Sequence, residues 1–246
     1  MPLFDLSFLQ RLAWLRQRRH CQLCDEPTDH PAHRICTACE TELPWLGAHC
    51  QVCAVPLPAH GMICGACQNK PPGFTRVEAP WRYAFPVDNL ITRFKHQAQW
   101  PHGRLLAELL AEHLRHAHDE GLPRPQALVP VPLARQRQRR RGFNQAQMLA
   151  DWLGDSLQLP VHANWLQRHA DTPSQQGLDA ATRKRNLRQA FSLNVDKRIV
   201  GSHLALVDDV LTTGATAGTL ANLLRRAGAL RVDVYCLART PRPGDG

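Results

Sequence analysis

The sequence has no long apolar run and no export signal of the usual kind. Its 246 residues contain no stretch near the ~20 consecutive apolar residues that a membrane-spanning helix requires. The opening segment, MPLFDLSFLQRLAWLRQRRH, lacks a basic leader and a small-residue cleavage site, so we do not expect a secretory signal. Its apolar residues instead recur at helical spacing, which predicts an amphipathic helix over residues 1–20. That helix packs on the rest of the chain or meets a membrane surface or a partner.

Two common phosphate-binding motifs are also missing, namely G-x-x-x-x-G-K-[ST] and G-x-G-x-x-G. The composition excludes fibrous and disordered classes, because 43% hydrophobic residues permit a sizeable packed core. The length fits one large domain or one domain with a small module. A formal net charge of +9 favours phosphates, nucleic acid or an anionic membrane as partners, without choosing among them.

Cysteine is almost confined to one segment. Eight of the nine cysteines form four C-x-x-C pairs between residues 21 and 67, and Cys236 stands alone. This spacing lets two thiolates reach one metal ion from a tight turn, and it is typical of zinc ribbons. The predicted ligands are Cys21, Cys24, Cys36, Cys39, Cys50, Cys53, Cys64 and Cys67.

Eight thiolates fill two closed four-ligand sites, so we predict two structural zinc ions and no catalytic zinc. Residues 21–70 have too few apolar side chains to fold unaided, and zinc binding of ~10–16 kcal/mol per site would supply the missing free energy. Pairing of adjacent C-x-x-C pairs closes the shortest loops, but an interleaved pairing stays open. The nearby histidines are expected at the surface; they are His20, His30, His33 and His49.

From about residue 81 the pattern alternates between strands and helices. Apolar runs predict strands over residues 127–133, 203–209 and 230–238. Helical periodicity predicts helices over residues 105–114, 145–157 and 217–227, and a basic helix over residues 182–190. Such alternation predicts an α/β fold with a mainly parallel sheet. The predicted domains are the helix at 1–20, a double zinc-ribbon module at 21–70 and an α/β domain at 81–240.

The segment LALVDDVLTTGAT, residues 204–216, gives the strongest indication of chemistry. An apolar strand brings two acids to its carboxyl end, where open α/β sheets bind ligands. The loop and the helix that follow offer backbone N–H groups, threonine hydroxyls and a positive dipole end, which suit a monophosphate. Glycine lets the backbone approach that phosphate closely. The predicted site residues are Asp208, Asp209, Thr212, Thr213, Gly214, Ala215 and Thr216.

This segment resembles the motif with which type I phosphoribosyltransferases bind 5-phosphoribosyl-1-pyrophosphate (PRPP). The resemblance implies that Asp208 and Asp209 grip the ribose hydroxyls and that residues 212–216 bind the 5-phosphate. It also implies that Mg²⁺ bridges the pyrophosphate and ribose oxygens. The 6-oxopurine enzymes have an aspartate at the position of Thr212, so this chain departs from the purine-salvage pattern. No residue is identified as a general base, and the catalytic residues stay unknown.

An arginine-rich stretch, RQRQRRRGFNQ at residues 135–145, follows the predicted strand at 127–133. Type I phosphoribosyltransferases bind pyrophosphate in the loop after this strand, and guanidinium groups grip phosphate oxygens well. A contact with the nucleic-acid backbone and a merely solvated charged loop remain the other two interpretations. The arginines concerned are Arg135, Arg137, Arg139, Arg140 and Arg141.

Several segments together resemble the ComF/GntX family of competence-related proteins from about residue 20 to residue 240. They are the cysteine-rich part, ITRFKHQ, VPVPLARQRQRRRGFNQAQMLA, RHADTPSQQGLDAATRKRNLRQAF and LALVDDVLTTGAT. The resemblance implies a role in DNA uptake and in the use of DNA as a nutrient. It implies the uptake proteins of the inner membrane as partners, and a cytoplasmic location that is either free or peripheral to that membrane. The arginine stretch and the net charge of +9 suggest binding to single-stranded DNA.

Two functions therefore compete. The first, which we favour, is a phosphoribosyltransferase that moves ribosyl 5-phosphate from PRPP to an unknown acceptor. The second is a non-catalytic adaptor for single-stranded DNA that keeps PRPP only as a ligand. Residues 168–186 are polar, and they predict either a loop that closes over the reaction centre or an ordinary exposed loop.

Overall fold

The structure is a computed structural model that describes residues 20–30, 32–169, 190–194 and 199–241. The chain divides into two compact units, Met1–Glu42 and Leu43–Gly246. In the first unit, helix α1 (Thr37–Thr41) follows directly on Cys36. The helix predicted over residues 1–20 lies outside the described residues, except for His20. The predicted module boundary after residue 70 stays a prediction, while the larger unit already begins at Leu43.

A parallel sheet of five strands forms the centre of the larger unit. Its strands are β1 (Arg76–Glu78), β2 (Trp81–Arg82), β3 (Ala127–Pro130), β6 (His203–Leu211) and β7 (Arg231–Arg239). Strand β6 lies between β3 and β7, and both β1 and β2 pair along the other edge of β7. Strands β6 and β7 are long apolar runs because parallel strands inside such a sheet are covered on both faces.

Two short strands lie outside this sheet. Strand β4 (Leu166–Arg168) pairs antiparallel with β5 (Phe191–Leu193), and the sequence analysis did not predict this pair. Each strand has only three residues, which is too short for a period-2 pattern to stand out. Most of the chain between them, residues 170–189, lies outside the described residues, and the predicted basic helix and most of the predicted loop over 168–186 fall there.

The helices described in the larger unit are α2 (Gly65–Asn69), α3 (Val87–Gln97), α4 (Trp100–Asp119), α5 (Arg135–Arg141), α6 (Gln145–Leu157) and α7 (Ala215–Arg226). Helices α4, α6 and α7 pack on the sheet through apolar stripes, whereas α5 buries none of its residues. Helix α4 buries the five leucines that defined its predicted stripe. Asn144 caps the N-terminus of α6, because its side chain accepts the Ala146 N–H at 3.1 Å. Gly103 lets α3 pack closely on α4, since a Cβ there would lie 2.6 Å from the Phe94 ring.

The predicted fold class, a mainly parallel α/β sheet preceded by a small cysteine-rich module, is confirmed. Helix α6 has the predicted bounds, and α4 and β6 extend beyond theirs. The arginine stretch, treated as a loop, is instead the seven-residue helix α5, which ends at Gly142 with φ of +85°. None of the helices in the described ranges combines the length and apolar character needed to cross a membrane.

Candidate zinc centres and anion-binding loop

The eight paired cysteines form two clusters, and each cluster joins two adjacent C-x-x-C pairs. Site 1 contains Cys21, Cys24, Cys36 and Cys39, and site 2 contains Cys50, Cys53, Cys64 and Cys67. Within each site all four sulfur atoms lie within 4.8 Å of one another. The structure therefore has the sequential pairing, which the sequence left open against an interleaved one.

The sulfur atoms have the separation that a tetrahedral zinc site needs. Cys24 Sγ lies 3.7 Å from Cys36 Sγ, and Cys53 Sγ lies 3.6 Å from Cys64 Sγ. Four sulfurs at about 2.3 Å from a central zinc ion would stand about 3.8 Å apart, whereas a disulfide bond is about 2.0 Å long. Four thiols with no other donor fit a closed structural zinc site and leave no open position for catalysis.

The two sites share one backbone design. Cys21 N–H bonds Glu26 O at 2.8 Å in site 1, and Cys50 N–H bonds Val55 O at 2.9 Å in site 2. One backbone N–H also points at a sulfur in each: Leu23 N lies 3.4 Å from Cys21 Sγ, and Cys64 N lies 3.3 Å from Cys50 Sγ. Such bonds stabilise thiolate, which is the form that binds zinc.

The thiol pKa values agree with this design. Burial acts to raise the pKa of Cys64, but hydrogen bonds from the Cys67 backbone and from neighbouring thiols outweigh it and lower the pKa to about 6. The same balance of burial against backbone hydrogen bonds lowers the pKa of Cys21 to about 7. Burial instead raises the pKa values of Cys39, Cys53 and Cys67, so each site contains one thiol that is more acidic than its neighbours.

The sites differ in their surroundings. In site 2 all four cysteines are at most 8% exposed and join the apolar core of the larger unit, whereas Cys24 of site 1 is exposed. Neither cluster includes a histidine, as expected. The expectation that the nearby histidines lie at the surface is wrong for His33, which is buried and stacks on His30 with ring centroids 4.7 Å apart.

The predicted acids lie near the carboxyl end of β6. Asp208 is half-buried, while Asp209 is buried and forms an ion pair with Lys95 of α3, with Nζ and Oδ2 2.6 Å apart. Burial raises the pKa of Asp208 to about 7, although the charge of Lys95 opposes the rise. Burial lowers the pKa of Lys95 to about 8, against the influence of Asp208. A partly buried cation therefore pairs with Asp209 and lies close to Asp208.

The loop after β6, residues 212–216, is called the anion loop here. Thr212 and Thr213 are exposed, and Gly214 begins helix α7 with φ of +73°. The Ala215 N–H bonds Thr213 Oγ1 at 3.3 Å, whereas the N–H groups of Thr212, Thr213 and Gly214 have no acceptor among the described residues. Several free N–H groups at the start of a twelve-residue helix form a site suited to an anion.

Gly214 is needed for its backbone conformation. A Cβ on Gly214 would lie 3.6 Å from the Phe74 ring, which is an ordinary contact distance. The positive φ, however, is a conformation that other residues rarely adopt. The sequence analysis predicted glycine here for close approach to a phosphate, and the structure adds a conformational reason.

The two ends of the arginine helix α5 have different polar surroundings, with Lys95 near its last residue and a polar cleft at its first residue. Its last residue, Arg141, is half-buried and donates a hydrogen bond to Gln145 Oε1. Burial lowers the pKa values of Lys95 and His96, and the charge of Arg141 lowers them further. The first residue of the helix, Arg135, lines a separate cleft of about 280 Å³. Polar side chains dominate that cleft, among them Gln138, Asn144, Gln147, Asn164 and His169. The arginines between the two ends are exposed, namely Arg137, Arg139 and Arg140.

Comparison with known proteins places the chain in a family. The chain is 36% identical over 221 residues to the "DNA utilization protein YhgH" of Salmonella typhi, covering 89% of this chain and 96% of that protein. It is 38% identical over 207 residues to "Competence protein F" of Haemophilus influenzae, covering 83% of this chain and 90% of that protein. This chain belongs to the ComF/GntX family.

Two further matches describe parts of this ComF/GntX protein. Residues 14–68 match the Double zinc ribbon domain family, so the predicted double zinc ribbon is confirmed. Among solved structures, the purine phosphoribosyltransferase from Pyrococcus horikoshii is 16% identical, with a TM-score of 0.34 and coverage of 55% of this chain and 70% of that chain.

Two residues of this ComF/GntX protein that contact the acids or the anion loop were missed from the sequence. Lys95 falls four residues after buried Ile91 on the apolar face of α3, and a charge at such a position was the available signal. Arg239 is 3% exposed and donates to the carbonyl oxygens of Leu211 and Thr212 at the end of β6. The sequence gives no comparable sign of Arg239, because it simply ends an apolar strand.

Proposed function

We propose that this protein serves DNA uptake and utilisation, and that its larger unit binds PRPP with Mg²⁺ and transfers ribosyl 5-phosphate to an acceptor. The family of DNA utilization and competence proteins supports the first part. The observation that carries the second is the anion loop, which is separated from the acids of β6 by two residues and whose N–H groups at residues 212–214 have no acceptor in the described part of the chain.

The residues have complementary tasks in this proposal. The 5-phosphate binds to the anion loop, and the carboxylate of half-buried Asp208 accepts hydrogen bonds from the ribose hydroxyls. Asp209 is held by Lys95, so we assign it to positioning that lysine beside Asp208. Mg²⁺ prefers oxygen ligands from substrate phosphates and one or two carboxylates, and Asp208 offers such a carboxylate when deprotonated.

Transfer breaks the bond between ribose C1 and the pyrophosphate oxygen as the acceptor attacks C1. Pyrophosphate leaves with the bonding electron pair, so its negative charge increases in the transition state. Arg141, at the Lys95 end of α5, is the arginine best placed to stabilise that charge. Mg²⁺, when bound, supplies further charge stabilisation to the leaving group.

Calorimetry with PRPP and Mg²⁺ tests the binding step. Changing Asp208→Asn removes a charged acceptor, and such hydrogen bonds contribute about 1.5–3 kcal/mol, so affinity should fall at least tenfold. The double variant with Asp209→Asn should bind more weakly still. Asp155→Asn, an exposed acid of α6, is the matched control and should bind as the wild type does. Equal affinity in Asp208→Asn would contradict the proposal.

Turnover is tested separately. Labelled PRPP and Mg²⁺ are incubated with candidate acceptors, from free bases to single-stranded DNA, and release of pyrophosphate is measured. The enzyme function requires release that depends on both the acceptor and Asp208. Binding of PRPP without any release would favour the adaptor function.

The adaptor for single-stranded DNA remains a second candidate because of one specific observation. Arg135, Arg137, Arg139 and Arg140 are exposed on one short helix, and no described carboxylate pairs with them. Phe143 beside this helix packs edge-on to Trp100, whose side chain is 53% exposed. The exposed Trp100 ring offers a second surface on which a DNA base could stack, and the sequence next to Phe143 gives no sign of it.

A further inference from the structure

Arg239 is buried at the end of β7, and it joins three backbone segments. Its Nε donates to Cys53 O at 2.8 Å, and its Nη1 donates to Leu211 O at 3.0 Å and to Thr212 O. Among the described residues it forms no ion pair with a carboxylate, although it is only 3% exposed. A buried charge is costly unless it is well hydrogen-bonded, so these carbonyl oxygens hold the guanidinium tightly and in turn are held by it.

The bonds to Leu211 and Thr212 fix the direction of the anion loop. In a trans peptide the C=O and the following N–H point in opposite directions. Because the carbonyls of Leu211 and Thr212 point at Arg239, the N–H groups of Thr212 and Thr213 point away from it. These are two of the N–H groups that have no acceptor among the described residues. Arg239 therefore orients the donors of the anion loop without contacting a ligand in it.

The bond to Cys53 connects the same guanidinium with the second zinc site. Cys53 supplies one of the four sulfurs of site 2, and its own carbonyl oxygen accepts the Arg239 Nε–H. Site 2 and Phe74 belong to one apolar core, and Phe74 lies beside Gly214 of the anion loop. A shift of the Cys53 backbone on loss of zinc would therefore move a direct partner of Arg239.

We propose that Arg239 is a positioning residue that couples zinc occupancy of site 2 to the anion affinity of residues 212–216. This inference rests on the proposed function of the loop. The Cys53 sulfur would bind zinc and so fix the Cys53 backbone, whose carbonyl oxygen accepts from Arg239, and Arg239 in turn keeps the loop N–H groups pointing away from it. Coupling of this kind is reciprocal, so a bound anion must in turn strengthen the retention of zinc at site 2.

Hydrogen exchange in the absence of ligand tests the positioning role. In Arg239→Met the amides of Thr240 and Gly218, which are bonded to Leu211 O at 3.1 Å and to Gly214 O at 2.8 Å, should exchange at least tenfold faster than in the wild type, because loosening of the loop breaks these bonds. Arg231→Met is the matched control, because it removes the ion pair with Asp233 at the opposite end of the same strand and should leave these amides unchanged. Equal acceleration in both variants, or none in either, would overturn the proposal. If Arg239→Met does not fold, Arg239→Lys, which keeps the charge but not the fork of donors, is measured instead.

Zinc release to a chromophoric chelator tests the coupling. Saturating PRPP with Mg²⁺ should slow release of one of the two zinc ions at least fivefold in the wild type and not in Arg239→Met. Slowing of the same size in the variant would refute the coupling. Failure of the wild type to bind PRPP in calorimetry would refute the proposed function, while the ligand-free exchange measurement still decides the role of Arg239.

Discussion

The two zinc sites have the same four donors and the same backbone design, yet they differ in what surrounds them. Site 1 lies in the small first unit and has an exposed cysteine, while site 2 is buried in the core that also covers the sheet. The comparison shows that the spacing of the cysteines determines which metal ion each site suits, whereas the burial of the site determines which part of the fold a bound ion stabilises. Site 1 supports a local fold, and site 2 supports the unit that carries the anion loop.

The largest expected effect comes from removing one ligand at corresponding positions. Cys21 and Cys50 are equally buried, at 2% and 0% exposure, so Cys21→Ala and Cys50→Ala are matched. Zinc binding of about 10–16 kcal/mol per site is comparable with the whole stability of a domain, about 5–15 kcal/mol. Cys50→Ala should therefore unfold the sheet, and Cys21→Ala should leave its melting temperature unchanged.

Circular dichroism and metal analysis together check this expectation. Cys21→Ala should retain close to one zinc ion per chain with a cooperative melt. If both variants lower the melting temperature equally, burial does not distinguish the sites.

The next effect concerns the rate of zinc loss. Wild-type protein should contain close to two zinc ions per chain, and a chelator should remove them in two phases that differ at least tenfold in rate. Site 1 should lose its zinc first, because Cys24 is exposed and solvent reaches its sulfur. Cys21→Ala should lack the fast phase. Protein without zinc, or with disulfides in place of thiols, would contradict the assignment.

A moderate effect should appear in the pH dependence of PRPP affinity. The pKa of Asp208 is raised by burial to about 7, so the carboxylate forms as the pH rises through 7. If binding uses the carboxylate, affinity should rise from pH 6 to 8, by up to about tenfold per pH unit below 7. Asp208→Asn should remove this rise, whereas Cys21→Ala should keep it. A phosphate group also titrates near pH 6, so the difference between wild type and Asp208→Asn is the quantity to measure.

The smallest effect concerns single-stranded DNA. If the exposed arginines contact phosphates, affinity should fall with salt with a log–log slope of roughly −0.7 per contact. Changing Arg139, Arg140 and Arg141 to Ala should flatten that slope by up to about 2, and Cys21→Ala should not change it. An unchanged slope in the arginine variant would show that other residues contact the DNA phosphates.

PRPP binding by the same triple variant separates the two interpretations of the arginines. Loss of PRPP affinity alone would assign them to pyrophosphate. Loss of both ligands would mean that DNA and PRPP share one surface.

Much of the fold follows from local pattern. The leucines of α4, the bounds of α6 and the apolar runs of β6 and β7 are properties of neighbouring residues, and each element forms where its pattern predicts. The cysteine pairs likewise carry their own geometry, because C-x-x-C places two sulfurs on one turn. The loop over residues 212–216 was found for the same reason.

What could not be predicted depends on contacts between distant parts of the chain. Lys95 and Asp209 are far apart in sequence, and only packing of α3 brings them to 2.6 Å. Arg239 contacts Cys53 across most of the chain. The different burial of the two zinc sites is equally tertiary, since their local sequences are nearly equivalent. The arginine helix α5 was not predicted because residues 135–141 are all arginine or glutamine, and a helix is recognised in a sequence by the spacing of its apolar residues.

The position of β7 in the sheet has a consequence for synthesis on the ribosome. This strand is the last described element of the chain, yet it separates β1 and β2, which come first in the sheet, from β6. While β7 is still inside the ribosome tunnel, β1 and β2 have no partner in the sheet, and their pairing spans most of the polypeptide. Strands β3 and β6 can pair before β7 emerges, but β1 gains its strand partner only with β7, so removal of the residues from Arg231 onward leaves β1 without a partner in the sheet.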